Sequence, residues 1–403
     1  MKTSISDPDA HLNLWEPHLK AFVELCPADT PRDGPLAGMR VGVKDVIDVA
    51  GTSTRNGSDA CENAPPAMQD AAVVGLLRQA GAKIVGKTVT TEFAFTDPTA
   101  CRNPYDLRRS PGGSSSGSGA AVAAGVVDIA LGTQTAGSLC RPAAYCGVVG
   151  LKPTYRTLST EGVTPLAPSF DTVGIITGSV ALAQKAFAVM APSPSAQPDT
   201  TPQKTLCGLW QTDATPDGDT MEGFQAAAHA IEELGARVTQ TPLKADVAPM
   251  VIAHRLVMHY EAFIAHGAVL NNPRGALLKQ KFLAGLRAGA TISPDQVAQA
   301  QEFLAEAKHA FWAGLEGLDI ILTLPVPEGA PLMDGTTGFQ DWLTPWTVFG
   351  GPLVCLPWGL DRLGRPLSVM LAARPGQDHQ LLATAARLEA TSPPMPSPHL
   401  PQA

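Results

Sequence analysis

The hydrophobic positions in the first half of the chain alternate between strand and helix spacing. Apolar residues at every third or fourth position indicate an amphipathic helix, and short apolar runs bounded by turn residues indicate buried strands. The pattern predicts strands at residues 39–47, 83–86 and 126–131, and helices at residues 71–80 and 120–125. Such alternation is typical of an α/β protein whose sheet is covered by helices on both faces.

The second half repeats this alternation with longer helices. Strands are predicted at residues 205–211, 237–240 and 319–324, with a closing pair at 353–357 and 367–372. Helices are predicted at residues 220–234, over much of 249–288, from Ser293-Pro294 onwards and at 379–390. Serine followed by proline is a favourable helix start, because serine caps the first turn and proline fits its first position.

We therefore predict one large α/β domain over residues 1–403, with a central mixed, mostly parallel sheet between helices. Its parts are a helical lead-in at 1–36, a core at 37–180, a variable substrate-side region with the closing strands at 181–390, and a flexible proline-rich tail at 391–403. The Ser- and Pro-rich residues 192–204 are typical of an exposed loop within the domain.

Composition and charge narrow the function classes. The chain is 44% apolar and only 16% charged, which suits a large buried core. A net charge of -8 argues against binding to nucleic acid or to an anionic membrane. No apolar run reaches the ~18–20 residues of a membrane span, and the N-terminal residues lack the apolar core of a signal peptide. We expect a cytoplasmic protein.

The seven cysteines are widely spaced, and none forms a C-x-x-C pair. A zinc site or a disulfide framework is therefore not predicted. Reduced, mostly buried thiols are the expectation for a cytosolic protein.

A first glycine- and serine-rich turn, Gly112-Gly-Ser-Ser-Ser-Gly117, precedes an alanine-rich helix. Taken alone, it suits either a flexible linker or a helix N-cap, although the buried segment that follows argues against a linker. A phosphate-binding loop is excluded because no Gly-Lys-Ser/Thr follows the turn.

A second such turn, Thr133-Gln-Thr-Ala-Gly-Ser138, follows a strand and precedes a helix-compatible segment. Its small residues leave peptide N–H groups uncovered, and such groups can stabilise an oxyanion. Ser138 would be the nucleophile of such a site. The alternative is a serine N-cap without chemistry.

The apolar run Val41-Gly-Val-Lys-Asp-Val-Ile47 contains a lysine, Lys44. A lysine in a half-buried strand normally points outward. If Lys44 points inward, desolvation lowers its pKa, and the neutral amine can act as a base where histidine does not.

Together these three segments resemble the amidase signature family, strongly over residues 36–180 and weakly at 344–346 and 353–371. The resemblance implies Ser138 as the acylated nucleophile, Ser114 as a relay on a cis peptide after Gly113, and Lys44 as the base. It also implies an oxyanion hole formed by the N–H groups of Thr135, Ala136, Gly137 and Ser138. Substrate contacts are expected from Gly113, Ser115, Gln134 and Arg141.

The chain departs from the common family pattern beside the nucleophile. Gln134 stands where the family usually has Asp, Cys140 where it has Arg, and Ala136 where it has Gly. Arg141 lies in apolar company three residues after Ser138, and a buried guanidinium needs an anion. That anion is either an internal carboxylate such as Asp171 or a carboxylate of the substrate. The second alternative resembles the malonamidase-like branch, which implies small amides that carry an acid group.

The leading functional prediction is a stand-alone amidase that acts on a small-molecule amide, with no metal, no cofactor, no nucleic acid and no membrane partner. Family habit implies a homodimer. Alternatives are an amidase for neutral or aryl amides, the amidase subunit of an amidotransferase, and a catalytically inactive binding protein. The presence of Lys44, Ser114 and Ser138 argues against the last of these.

Overall fold

A computed structural model describes residues 8–27, 30, 32–191, 204–210 and 212–400. One sheet of 11 strands runs through it. In chain order the strands are β1 Phe22–Leu25, β2 Arg40–Lys44, β3 Lys83–Thr88, β4 Ile129–Gln134, β5 Val149–Lys152, β6 Thr172–Thr177, β7 Lys204–Cys207, β8 Arg237–Gln240, β9 Ile320–Thr323, β10 Leu353–Leu360 and β11 Pro366–Ala372. Their order across the sheet is β1-β3-β2-β4-β6-β5-β10-β11-β9-β7-β8.

The α-helices of the described residues connect and cover these strands. They are α1 Pro8–Leu19, α2 Ala72–Gln79, α3 Ser116–Ala123, α4 Cys140–Cys146, α5 Val180–Met190, α6 Gly218–Glu233, α7 Val247–His266, α8 Gln280–Gly289, α9 Pro294–Ala313, α10 Thr344–Phe349 and α11 Asp378–Glu389. No helix of the described residues has both the length and the apolar character needed to cross a bilayer.

The central strands β4, β6 and β11 are buried along their whole length. A strand with both faces buried needs cover on each side, which confirms the predicted mixed sheet between helical layers. Its description as mostly parallel is wrong, because four of the ten strand pairings among the described residues are parallel and six are antiparallel. Strand direction depends on how the connections cross the sheet, which periodicity does not encode.

Two other predictions need correction. The lead-in contains a strand, β1, which pairs antiparallel with β3 at the edge of the sheet. Four residues are too few for periodicity to separate a strand from a helix. Strand β4 begins three residues later than predicted. After α3 the chain turns at Gly125, which has a left-handed conformation (φ 70°). The Asp128 carboxylate then accepts the Arg40 N–H at 2.8 Å before the chain enters the sheet.

Contacts of the tail extend to the last residues that the structure describes. The Tyr105 hydroxyl donates to the Pro396 carbonyl at 3.0 Å, and Leu400 packs partly buried against the core. The predicted loop at 192–204 lies outside the described residues except for Lys204. Five of the seven cysteines are buried, as expected.

Helices α7, α9 and α10 pack on one another beyond the sheet, and α8 packs on α7. The short α10 is held at its end by Trp312 of α9, whose indole N–H donates to the Phe349 carbonyl at 3.1 Å, and by stacking of Phe311 on Phe349 at 4.0 Å. This layer brings residues from the second half of the chain against the glycine- and serine-rich turns.

Candidate active site

The carboxyl ends of two neighbouring strands define the site. Strands β2 and β4 run parallel, with Val43 beside Leu131, so Lys44 at the end of β2 lies next to Thr133 near the end of β4. The loop before α3 brings Ser114 to the same edge, and the turn after β4 carries Ser138. Parallel strands place their carboxyl ends together, which is where such sheets bind ligands.

Lys44 points inward and is fully buried. Its Nζ lies 2.6 Å from the Ser114 hydroxyl and 2.7 Å from the Thr133 hydroxyl. Burial lowers the pKa of Lys44 well below its usual range, the Asp171 carboxylate opposes this shift, and Arg141 adds to it. The outward orientation is therefore excluded, and burial shifts the protonation equilibrium of Lys44 towards the neutral amine.

The peptide between Gly113 and Ser114 is cis, as the family resemblance implies. The Ser114 carbonyl accepts the Thr91 N–H at 3.2 Å. The next residue bridges the two turns, because the Ser115 N–H donates to the Ser138 carbonyl at 3.1 Å. Among the described residues no hydrogen bond joins the hydroxyls of Ser114 and Ser138 themselves.

Each of the four carbonyl groups in the turn from Thr135 to Ser138 accepts a hydrogen bond, and these bonds fix the turn. The Thr135 carbonyl accepts from His254 Nε2 at 2.8 Å, and the Ala136 carbonyl accepts from the Thr347 hydroxyl at 2.6 Å. The Gly137 carbonyl accepts from the Arg141 N–H at 3.0 Å, and the Ser138 carbonyl is bound by Ser115 as described above.

The four N–H groups of the same turn donate no hydrogen bond to any described residue. Buried backbone N–H groups are almost always paired, so four adjacent free donors mark a place for an acceptor. A developing oxyanion is such an acceptor.

Gln134, expected to contact substrate, has its amide engaged inside the protein. Its Oε1 accepts the N–H groups of Leu139 at 3.1 Å and Cys140 at 3.0 Å, and its Nε2 donates to the Thr347 hydroxyl at 3.1 Å. Gln134 therefore ties the start of α4 to α10. The Ser115 hydroxyl is likewise internal, since it lies 3.3 Å from both the N and the O of Thr133.

Arg141 is fully buried and has only neutral partners among the described residues. Its Nε and Nη2 donate to the Gly113 carbonyl at 3.1 and 2.6 Å, and its Nη1 donates to the Gly338 carbonyl at 2.9 Å and to Gln340 Oε1 at 3.2 Å. Burial lowers the pKa of Arg141 to about 10, so the guanidinium is charged at neutral pH.

The suggested pairing of Arg141 with Asp171 is wrong. The Asp171 carboxylate instead accepts the Thr135 hydroxyl at 2.5 Å and the N–H groups of Leu166 and Ala167 at 2.8 and 3.0 Å. Burial raises the pKa of Asp171, and these three hydrogen bonds oppose that shift.

Two residues of the site were not found from the sequence. His254, which no sequence motif marks as part of a site, is buried on α7 beside Phe170, with ring centroids 4.2 Å apart. Burial lowers its pKa to about 4, so its imidazole is neutral at neutral pH. Thr347 carries no sequence signal, because a lone threonine in an apolar helix suits packing equally well.

A cavity of about 390 Å³ adjoins the turn through Asp171. Its lining includes Tyr155, Arg156, Val163 and Pro165. Arg156 is exposed and stacks over the Tyr155 ring at 5.0 Å. The cavity is linked to the turn by the Asp171 carboxylate, which accepts the Thr135 hydroxyl.

Comparison with known proteins agrees with the geometry. A family model described as Amidase matches residues 23–382. The chain is 31% identical over 419 residues to Amidase 1 of Oryza sativa subsp. japonica, which covers 92% of this chain and 95% of that protein. It is 45% identical over 179 residues to a glutamyl-tRNA(Gln) amidotransferase subunit of Methanospirillum hungatei, a match that covers 42% of this chain and only 41% of that relative.

A solved structure has the same fold along nearly the whole chain. A glutamyl-tRNA(Gln) amidotransferase subunit from Thermotoga maritima superposes with a TM-score of 0.84 and 26% identity, covering 98% of this chain and 94% of that one. The family model and the rice relative both span most of the chain. The chain therefore belongs to the amidase family of C–N hydrolases.

Proposed function

We propose that this chain hydrolyses a small carboxamide to a carboxylate and ammonia through an acyl-enzyme on Ser138. The observation that carries the proposal is the 2.6 Å contact between the buried Lys44 amine and the Ser114 hydroxyl. A lysine whose pKa burial holds well below its usual range can accept a proton near neutral pH.

The proposed steps use the Lys44–Ser114 contact and add a proton transfer between Ser138 and Ser114, which the family resemblance implies. Neutral Lys44 takes the Ser114 proton as Ser114 takes the proton of Ser138, and the Ser138 oxygen bonds to the amide carbon. The carbonyl oxygen becomes an oxyanion that accepts from the free N–H groups of the 135–138 turn. The proton on Lys44 returns through Ser114 to the leaving nitrogen as the C–N bond breaks. Water then attacks the ester, its proton follows the same route, and the carboxylate leaves.

We propose further that the preferred substrate carries an acid group, which Arg141 attracts. Support comes from charge: Arg141 is buried without an acidic hydrogen-bond partner among the described residues, Asp341 acts on its pKa only through its charge, and the charge of Arg141 lowers the pKa of Lys44. A buried charge is costly unless an opposite charge approaches it. Four of the five guanidinium N–H groups already serve neutral acceptors, so one N–H and the charge remain for a substrate carboxylate.

Ammonia release from malonamate, malonamide, a neutral aliphatic amide and an aryl acetamide tests both levels of the proposal. Ser138→Ala is expected to lower kcat by at least ~10³-fold on every amide, since a covalent route loses its nucleophile. Retention of activity in that variant would overturn the Ser138 mechanism. Arg141→Gln is expected to raise KM for malonamate far more than for the neutral amide. Equal effects would assign Arg141 to structure alone.

A second candidate function is the amidase subunit of an amidotransferase. The 45% identity over 179 residues to an amidotransferase subunit favours it. Such a subunit would release ammonia slowly alone and faster with its partner. Purification of the tagged chain at its native expression level tests this: a stoichiometric co-purifying protein that raises glutaminase activity supports the second candidate, and full amidase activity without a partner supports the first.

A further inference from the structure

We propose that Thr347 and His254, on two helices far along the chain from Ser138, are positioning residues that aim the oxyanion-binding N–H groups. The inference rests on the proposed function, because it assigns a role within the same site. Its starting point is that both side chains donate to carbonyls of the 135–138 turn, at 2.6 and 2.8 Å.

Peptide geometry converts an anchored carbonyl into an aimed N–H. In a trans peptide the C=O of one residue and the N–H of the next point in opposite directions within one plane. Thr347 holds the Ala136 carbonyl and so orients the Gly137 N–H. His254 holds the Thr135 carbonyl and so orients the Ala136 N–H. Neither of these N–H groups has a partner among the described residues.

Thr347 is fixed from both sides. Its hydroxyl accepts from Gln134 Nε2 at 3.1 Å, which leaves the hydroxyl proton for the Ala136 carbonyl. Since Gln134 also holds the Leu139 and Cys140 N–H groups, one side chain sets the start of α4 and the direction of the Thr347 hydroxyl together.

His254 is fixed by its surroundings on α7. The imidazole packs on Phe170, and further along the helix Glu261 accepts both the N–H and the hydroxyl of Ser169. A neutral imidazole has one N–H, and its contact with a carbonyl oxygen assigns that proton to Nε2. The low pKa of His254, about 4, keeps this donor in the same neutral form throughout the neutral range.

The turn itself explains why outside anchors are needed. Ala136 and Gly137 have side chains too small to hold their own peptides, and Gly137 has wide conformational freedom. Without the two donors, the peptides could rotate and turn their N–H groups away from the position of the substrate oxyanion. Electrostatic stabilisation of an oxyanion depends on donors that are oriented before the reaction begins.

Thr347→Val is the sharpest test, because it removes the hydroxyl at nearly constant shape. Loss of one oxyanion donor in other hydrolases costs on the order of 10²–10³ in kcat, and a misaimed donor should cost about 10- to 100-fold with KM changed by less than about threefold. Thr347→Ser keeps the hydroxyl and should restore kcat to within about threefold. His254→Leu should lower kcat as Thr347→Val does, and His254→Gln, which keeps an N–H donor, should recover part of the rate.

A fluorophosphonate probe supplies a second readout that does not depend on turnover. It forms a Ser138 Oγ–P bond as fluoride leaves, and its phosphoryl oxygen occupies the oxyanion position. The labelling rate should fall with kcat in Thr347→Val and recover in Thr347→Ser. The matched control is Thr177→Val, which removes a buried hydroxyl 2.8 Å from the Ser179 carbonyl at the opposite end of β4 and β6 and should change neither rate.

The outcomes separate this inference from the proposed function. If Ser138→Ala keeps its activity, the proposed function fails and this inference fails with it. Urea denaturation first shows whether Thr347→Val and His254→Leu are folded. If Ser138→Ala is inactive but these two folded variants have wild-type turnover and labelling rates, only the positioning roles are overturned. A rise in KM at constant kcat would overturn them as well, because oxyanion donors act in the transition state.

Discussion

Replacing Lys44 by methionine should separate the chemical role of the buried amine from its cost to the fold. Lys44 is fully buried, and among the described residues its Nζ forms hydrogen bonds only with the hydroxyls of Ser114 and Thr133. Methionine fills a similar volume without charge. Loss of the base should lower kcat by about 10²- to 10⁴-fold, the usual range for a general base.

The stability effect has a sign that follows from the pKa. Burial places the pKa of Lys44 in the folded state well below its ordinary value of 10.5. Between those two pKa values the unfolded chain holds the proton and the folded chain does not, so the free energy of unfolding rises with pH. For one group the slope is at most about 1.4 kcal/mol per pH unit within that window. Lys44→Met has no such slope.

Urea denaturation of both proteins at several pH values from 6.5 to 9.5 measures this difference directly. The difference between the free energies of unfolding of the wild type and Lys44→Met should increase as pH rises. All other titrating groups are common to both proteins, so their contributions cancel in this difference. Lys244→Met, at an exposed position, controls for loss of a lysine charge. A constant difference across the range would refute a depressed pKa for Lys44 and, with it, the base role at neutral pH.

Three further predictions use the same site. Asp171→Asn removes a charge that raises the pKa of Lys44, so the acid limb of the kcat/KM profile should move to lower pH; an unchanged limb would contradict this. Lys87→Met leaves Asp45 buried without its 3.1 Å partner and should cost about 3–5 kcal/mol in urea denaturation. His254→Gln should make the free energy of unfolding less sensitive to acid. The pKa of His254 is about 4 in the folded protein against 6.5 for an unperturbed histidine, so between those pH values the wild type should lose up to about 3 kcal/mol of stability relative to the variant. Equal dependence of the two free energies on pH would contradict this.

The segments that sequence reasoning located best are those with unusual local composition. The glycines and serines of the two turns, and a lysine inside an apolar strand, each departed from what packing alone requires. Most strands and helices were also located, because long apolar runs and capped helices are local features. The Ser293 cap of α9, for example, forms the full reciprocal pair with Gln296.

What the sequence did not show depends on contacts across long chain separations. Strands β1, β5 and β6 and helices α5 and α10 were not predicted, and the balance of parallel and antiparallel pairs was misjudged, because neighbours in the sheet are not neighbours in the chain. His254 and Thr347 carry no local signal of a functional role. Their roles depend on the carbonyl each one faces, which composition cannot reveal.

Gln134 stands where the family usually has an acidic residue, and this difference changes the electrostatics of the site. Gln134 Oε1 accepts the N–H groups of Leu139 and Cys140, directly before Arg141. A carboxylate at this position would place a negative charge beside the start of α4. This charge would weaken the electrostatic attraction between Arg141 and any bound anion. The amide accepts the same N–H groups without charge and still donates to Thr347. Gln134 therefore adds no negative charge beside Arg141, whose own charge lowers the pKa of Lys44, and this absence of a carboxylate agrees with the proposal that Arg141 attracts the acid group of a substrate.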